Sequence, residues 1–160
     1  MNRNDNFTDF EINIMKRVLE LALLGKSNVE PNPYVGSVIC IDDKIISECY
    51  HSKFGEAHAE VNAIINAENY FTIKNMSPDF TNATIYVNLE PCSHFGKTPP
   101  CADLIIDKKF KNVIIAMQDP NPLVCGNGIK ILENSGVNVR IGLLENEAKK
   151  LNENFIKQFN

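Results

Sequence analysis

Between Leu89 and Cys101 the chain reads LEPCSHFGKTPPC, which packs two thiols, an imidazole, an amine and three prolines into one short stretch. Just before it, TIYVN (84–88) reads as a buried strand, so this density of reactive groups sits where a strand ends. A second cluster, His58-Ala59-Glu60, opens a run with helical spacing. One imidazole, His58, and two thiolates, Cys92 and Cys101, make a three-ligand tetrahedral zinc site whose fourth position is open, as in catalytic rather than structural zinc. Helix starts supply free N–H groups and a favourable dipole that stabilise thiolate charge, and prolines 91, 99 and 100 lower the entropy cost of bringing the two cysteines together. Glu60, two residues after a ligand, is free to move protons rather than bind metal. Zinc lowers the pKa of its water from about 15.7 toward about 7. Together these groups spell hydrolytic removal of an amine. The general H-x-E…P-C-x-x-C pattern of zinc deaminases is met in its first half. Its second half differs, because eight residues, not two, separate Cys92 from Cys101.

The elements that must position these groups alternate. Apolar residues Phe10, Ile14, Met15, Val18, Leu19, Ala22 and Leu23 recur at helical spacing from Asp9, taken as the N-cap, to a stop at Gly25. PNPYVG (31–36) is a rigid turn, and SVICI and KIISECY flank Asp42-Asp43 as a strand pair. A helix follows from His58 with Val61, Ile64 and Ile65 on one face, then a polar loop over 70–82. Strand 84–88, a helix from about 101 to 108, strand 112–116, a helix from about 128, strand 137–141 and a helix from Leu143 complete the order. Strands separated by helices predict one layered α/β domain. Cys40, Cys49 and Cys125 read as packing residues.

Bulk composition narrows the classes. With 160 residues, 44% hydrophobic and 22% charged, the chain is large enough for a core without disulfides. The net charge of −4 argues against a nucleic-acid partner held by its phosphates. No apolar run suits a membrane span, and the polar start MNRNDNFTDF shows no secretory h-region. Five cysteines then read as reduced thiols in a cytoplasmic protein.

PNPYVG, GEAHAE, LEPCSHFGKTPPC and DPNPLVCGNGI (119–129) together resemble one family, the deaminase domain of the bifunctional riboflavin-biosynthesis deaminase–reductase. The resemblance spans roughly Val18 to Gly142. It implies a cytidine-deaminase-like three-layer α/β/α sandwich with a central mixed sheet. It also implies deamination of 2,5-diamino-6-ribosylamino-4(3H)-pyrimidinone 5′-phosphate with Zn2+ as cofactor. Carried over, His58, Cys92 and Cys101 hold zinc, Glu60 shuttles protons, and Asn32, His51, His94 and Lys97 contact substrate, Lys97 at the phosphate. The deaminase domain is then 1–145, and LNENFIKQFN within 146–160 resembles a C-terminal helix or linker toward an absent reductase domain. A phosphorylated pyrimidine, a homo-oligomeric partner copy and a separately encoded reductase are the expected partners. Ser47 and Cys49 stand where the family carries glycines, and with the long 70–82 loop they are expected to reshape the pocket rim. Two other readings stay open: a zinc deaminase for cytidine, deoxycytidylate, guanine or a tRNA adenosine, and a non-catalytic zinc module. The short cysteine spacing of the former is missing here, and the latter has no need of Glu60.

Overall fold

The computed structural model describes residues 6–96 and 98–160, and Lys97 lies outside them. Helix α1 (Asp9–Leu23) starts one residue earlier than its apolar pattern suggests, with Thr8 rather than Asp9 as N-cap. The Thr8 hydroxyl accepts from the Glu11 N–H at 3.1 Å while the Glu11 carboxylate accepts from the Thr8 N–H at 2.9 Å, so a Thr-x-x-Glu capping box outcompetes the aspartate. Strands β1 (Gly36–Ile41) and β2 (Lys44–Tyr50) form the expected hairpin, turned by Asp42 and Asp43 at positive φ.

Strands β3 (Thr84–Leu89), β4 (Asn112–Met117) and β5 (Asn138–Ile141) complete a five-stranded sheet in the order β2-β1-β3-β4-β5. β1 runs antiparallel to β2 and β3, whereas β3, β4 and β5 are parallel, so the sheet is mixed as expected. The helices between these strands are α2 (Ala59–Ile73), α3 (Cys101–Asp107) and α4 (Asn127–Asn134). Helix α5 (Glu145–Leu151), the short α6 (Glu153–Ile156) and a 3-10 turn (Lys157–Phe159) follow β5. α1 and α5 cover one face of the sheet, and α2, α3 and α4 cover the other. With both faces covered, the central strands β3 and β4 are buried almost throughout, and Ile39, Ile85 and Ile115 are fully enclosed. Each such side chain contributes roughly 1.5–3 kcal/mol relative to exposure. Gly36 is required here, because a Cβ on it would stand 2.3 Å from the Val18 carbonyl of α1. Among the described residues no helix is long and apolar enough to cross a membrane.

Several expectations need correction. α2 runs to Ile73, past the start of the expected loop, because its last turn carries Phe71 into the core. Phe71 meets Phe80 edge to face at 5.6 Å, and Phe80 stacks on Phe110 at 4.7 Å, which ties down the polar stretch that reads as loop. The buried face of α2 is Ala59, Ala63, Ile64, Ala67 and Phe71, while Ile65 is half exposed. Small alanines let α2 sit close to the hairpin, and the buried Ser47 hydroxyl donates to the Ala63 carbonyl at 2.6 Å. Cys49 accepts from the Asn66 amide, so Ser47 and Cys49 both face α2 rather than the pocket rim. Cys125 is exposed, not packed. The last long helix begins at Glu145 because Leu144 takes left-handed φ.

Candidate metal centre and substrate pocket

Mixed strand direction decides where the site forms. The loops leaving β3 and β4 emerge at one edge of the sheet, where ligands gather in open α/β sheets. Because β1 and β2 pair antiparallel, the entry to β1 (Asn32) and the exit of β2 (His51) reach the same edge. His58 is the N-cap of α2 and Cys101 the first residue of α3. Cys92 is folded back onto that second helix start, with the Cys101 N–H donating to its Sγ at 3.2 Å and the Ala102 N–H to its carbonyl at 3.1 Å.

These three side chains converge as their spacing suggests. Their ligand atoms all lie within 4.8 Å of one another. His58 Nδ1 stands 3.7 Å from Cys92 Sγ and 3.4 Å from Cys101 Sγ. A tetrahedral zinc with bonds of about 2.3 Å to sulfur and about 2.0–2.1 Å to nitrogen would separate these atoms by about 3.6 Å. The donor set therefore fits the ion. Its electrostatics fit too. Hydrogen bonding from Cys101 holds the Cys92 thiol down to about 4, chiefly against burial, which opposes it. The Cys101 thiol, hydrogen-bonded to Cys92 and buried, is pushed up. A second thiolate beside the first thus needs a cation between them.

Glu60 lies in the first turn of α2, only 4% exposed, and its Oε2 is buried without a hydrogen-bond partner among the described residues. Burial pushes its carboxyl up to about 7, with His58 pulling the other way. A carboxyl in that range can both take and give a proton near neutrality. The unpartnered oxygen belongs to the same pocket as His58 and Cys92.

Around this centre lies a pocket of about 230 Å³. Asn32, His51 and His94 all line it. The His51 ring is buried, and its Nδ1 stands 3.0 Å from the Ala57 carbonyl, which can only accept, so Nδ1 carries the proton. Nε2 is then the acceptor for the Asn32 amide at 3.2 Å, which leaves the Asn32 amide oxygen for other partners. Burial lowers the His51 pKa and favours this neutral form. His94 is exposed in the Cys92–Cys101 loop and reaches the pocket mouth. Lys97, expected at the phosphate, falls outside the described residues.

Among the lining residues to which the sequence reading gave no role, Glu90, Asp119 and Phe155 bring carboxyl or aromatic groups. Asp119 follows β4 at the same sheet edge, a signal available from the Asp-Pro step alone, and its pKa is raised by burial. Glu90, in the motif between strand and first cysteine, is buried at 5%. Its Oε2 accepts from the Asp119 and Gly126 N–H groups, both at 3.0 Å, and its Oε1 from those of Gly128 at 3.0 Å and Ile129 at 3.4 Å. One carboxylate thus fastens the β4 loop and the start of α4 to the cysteine loop. Gly128 permits the fit, since a Cβ there would stand 2.2 Å from the Pro91 carbonyl. Glu90→Gln is expected to disrupt at least two charge-assisted bonds and to cost about 3 kcal/mol or more. In a thermal melt that is a drop of roughly 6–12 °C. A drop under about 2 °C would show that the four N–H groups find other partners.

Comparison with known proteins supplies the relatives. Residues 9–117 match the family described as the cytidine and deoxycytidylate deaminase zinc-binding region. The chain is 46% identical over 145 residues to the diaminohydroxyphosphoribosylamino-pyrimidine deaminase of Buchnera aphidicola subsp. Schizaphis graminum, covering 90% of this chain and 92% of that protein. It is also 46% identical over 143 residues to the riboflavin biosynthesis protein RibD of Bacillus amyloliquefaciens, covering 89% of this chain but 36% of that longer protein. Among solved structures, the Thermotoga maritima diaminohydroxyphosphoribosylaminopyrimidine deaminase/5-amino-6-(5-phosphoribosylamino)uracil reductase superposes with a TM-score of 0.85 at 46% identity, covering 94% of this chain and 41% of that one.

Proposed function

Taking as premise that this chain belongs to the cytidine and deoxycytidylate deaminase zinc-binding family, we propose that it deaminates 2,5-diamino-6-ribosylamino-4(3H)-pyrimidinone 5′-phosphate. The products are ammonia and 5-amino-6-ribosylamino-2,4-pyrimidinedione 5′-phosphate. Support for the chemistry comes from one observation, the His58, Cys92 and Cys101 donors grouped beside a buried carboxyl with an unpartnered oxygen. Support for the substrate comes from the near-complete overlap with the similarly sized Buchnera aphidicola deaminase.

His58 Nδ1, Cys92 Sγ and Cys101 Sγ would hold zinc, which supplies Lewis acidity that makes water nucleophilic at neutral pH. The chain's own residues do the rest. Glu60 takes a proton from the attacking water as its oxygen bonds to the pyrimidine carbon bearing the 2-amino group. The same carboxyl returns that proton to the departing nitrogen, so the C–N bond breaks with loss of ammonia, while the hydroxyl's own proton ends on the adjacent ring nitrogen and leaves a carbonyl. Asn32, its amide held by His51, offers its oxygen to N–H groups of the pyrimidine. His94 closes the mouth beside the ribosyl group. The product would pass to a reductase, and a homo-oligomeric, cytoplasmic protein is part of the same proposal.

The deciding experiment is ammonia release by the zinc-loaded protein with this diaminopyrimidine, cytidine, deoxycytidylate and guanine in parallel. Faster turnover of any of the last three would overturn the substrate assignment.

Lys97 carries the phosphate in this proposal, as the one lysine between the two cysteine ligands. A charge-assisted contact is worth roughly 1.5–3 kcal/mol. Lys97→Ala should therefore lose about ten- to hundredfold in kcat/KM with zinc content unchanged. A dephosphorylated substrate should be poor for the wild type yet lose little more on the variant. If the two losses multiply instead, the phosphate anchor lies elsewhere.

A further inference from the structure

The stretch after α5 resembles a linker in sequence, yet its polar groups are spent on the opposite end of the chain. Asn152 is 2% exposed. Its Oδ1 accepts from the Tyr34 N–H at 2.8 Å and its Nδ2 donates to the Tyr34 carbonyl at 2.9 Å, a two-point grip across 118 positions. The buried Asn88 donates to the same carbonyl at 2.9 Å and accepts from the Gly36 N–H at 2.8 Å. The Gln158 amide donates to the Pro31 carbonyl at 3.1 Å. The turn that carries Asn32 is thus held from both sides, by the sheet through Asn88 and by the C-terminal segment through Asn152 and Gln158.

This grip places one aromatic ring. Phe155 of α6 lines the substrate pocket with Asn32, His51 and Glu60, and it also lines a neighbouring cavity of about 220 Å³ beneath the same turn. Phe155 and Asn32 thus border both cavities. Phe159 meets it edge to face at 5.3 Å and 76°, which fixes its orientation. Asn32 and His51 supply polar contacts on the pocket side, whereas an aromatic face is what a flat heterocycle uses for stacking.

We infer that Phe155 is a substrate-contacting, specificity-determining residue that walls the pyrimidine side of the pocket, and that Asn152 is the positioning residue that sets it and the Asn32 turn. The inference rests on the proposed function, since it takes this pocket as the pyrimidine site. Phe155 carries no titratable or metal-binding group, so its loss should fall on binding rather than on chemistry.

The test uses the full zinc-loaded chain and two readouts: steady-state ammonia release, and calorimetric binding of the deaminated product, the pyrimidinedione ribosylamino phosphate. Phe155→Ala should raise KM and weaken product binding about ten- to hundredfold, the usual range for a base–aromatic stack, with kcat within about threefold of wild type. Phe155→Leu, which keeps apolar bulk and protects the fold, should give a smaller loss in the same direction. Asn152→Ala should also raise KM with kcat retained, a split that general destabilisation does not produce. KM and product affinity within about twofold of wild type in both Phe155 variants would overturn the inference alone, leaving the deaminase assignment intact. A wild-type protein that neither releases ammonia nor binds the product would overturn both.

Discussion

Glu60→Gln is expected to keep zinc, fold and substrate affinity while turnover falls by about 10²–10⁴-fold, toward the upper end because one carboxyl serves two proton transfers. The substitution is nearly isosteric and leaves His58, Cys92 and Cys101 untouched. Glutamine cannot accept the proton that water must lose, nor hold one for the departing nitrogen. It also removes the titratable group in a position where burial has pushed the carboxyl up to about 7. The check is single-turnover ammonia release alongside metal analysis on the same preparation. A variant that retains one zinc and turns over within about tenfold of wild type would remove Glu60 from the chemistry. One that loses zinc would make it a contributor to the metal site instead.

Cys101→Ser should have the largest combined effect. Cys101 is 1% exposed and opens α3, so as a zinc ligand it would tie the ion to a helix and to the sheet beneath it. A bound ion that favours the folded state at about 1,000 times its dissociation constant adds about 4 kcal/mol of stability. Its loss should lower the melting temperature by roughly 8–16 °C for a chain of this size. Zinc should drop from about one equivalent to a small fraction, and activity to background. Wild type stripped with a chelator should melt where the variant melts, because the missing term is the same. Similar melting of all three samples, or less than about half an equivalent of zinc in gently purified wild type, would count against a resident metal.

Much of the fold and the metal centre could be read from residue order alone, because the signals there are local. The Asp42-Asp43 hairpin, the strand before Cys92 and the helix after His58 each announce themselves within a few residues. Convergence of His58, Cys92 and Cys101 was legible because a metal demands particular donors at compatible spacing. Glu90 was not, since its four N–H partners lie 29 to 39 positions away and carry no side-chain signature. Asn152 and Phe155 were hidden for the same reason at longer range. A polar tail with two phenylalanines looks like a connector until the turn it grips is known. The extension of α2 past Tyr70 and the burial of Phe80 were also tertiary facts, decided by an aromatic stack with Phe110 that no local pattern encodes.

The order of synthesis gives that long-range grip a further meaning. The chain emerges from its N-terminus, so the turn bearing Asn32 and all three metal ligands exist before the segment that completes the pocket. At about 5–20 residues per second, the interval between making Cys101 and making Phe155 is roughly 3–11 s. During those seconds the three donor side chains exist while Phe155, part of the finished pocket lining, does not. The segment after α5 thus acts as a latch, fastened by Asn152 across 118 positions onto a turn made long before it.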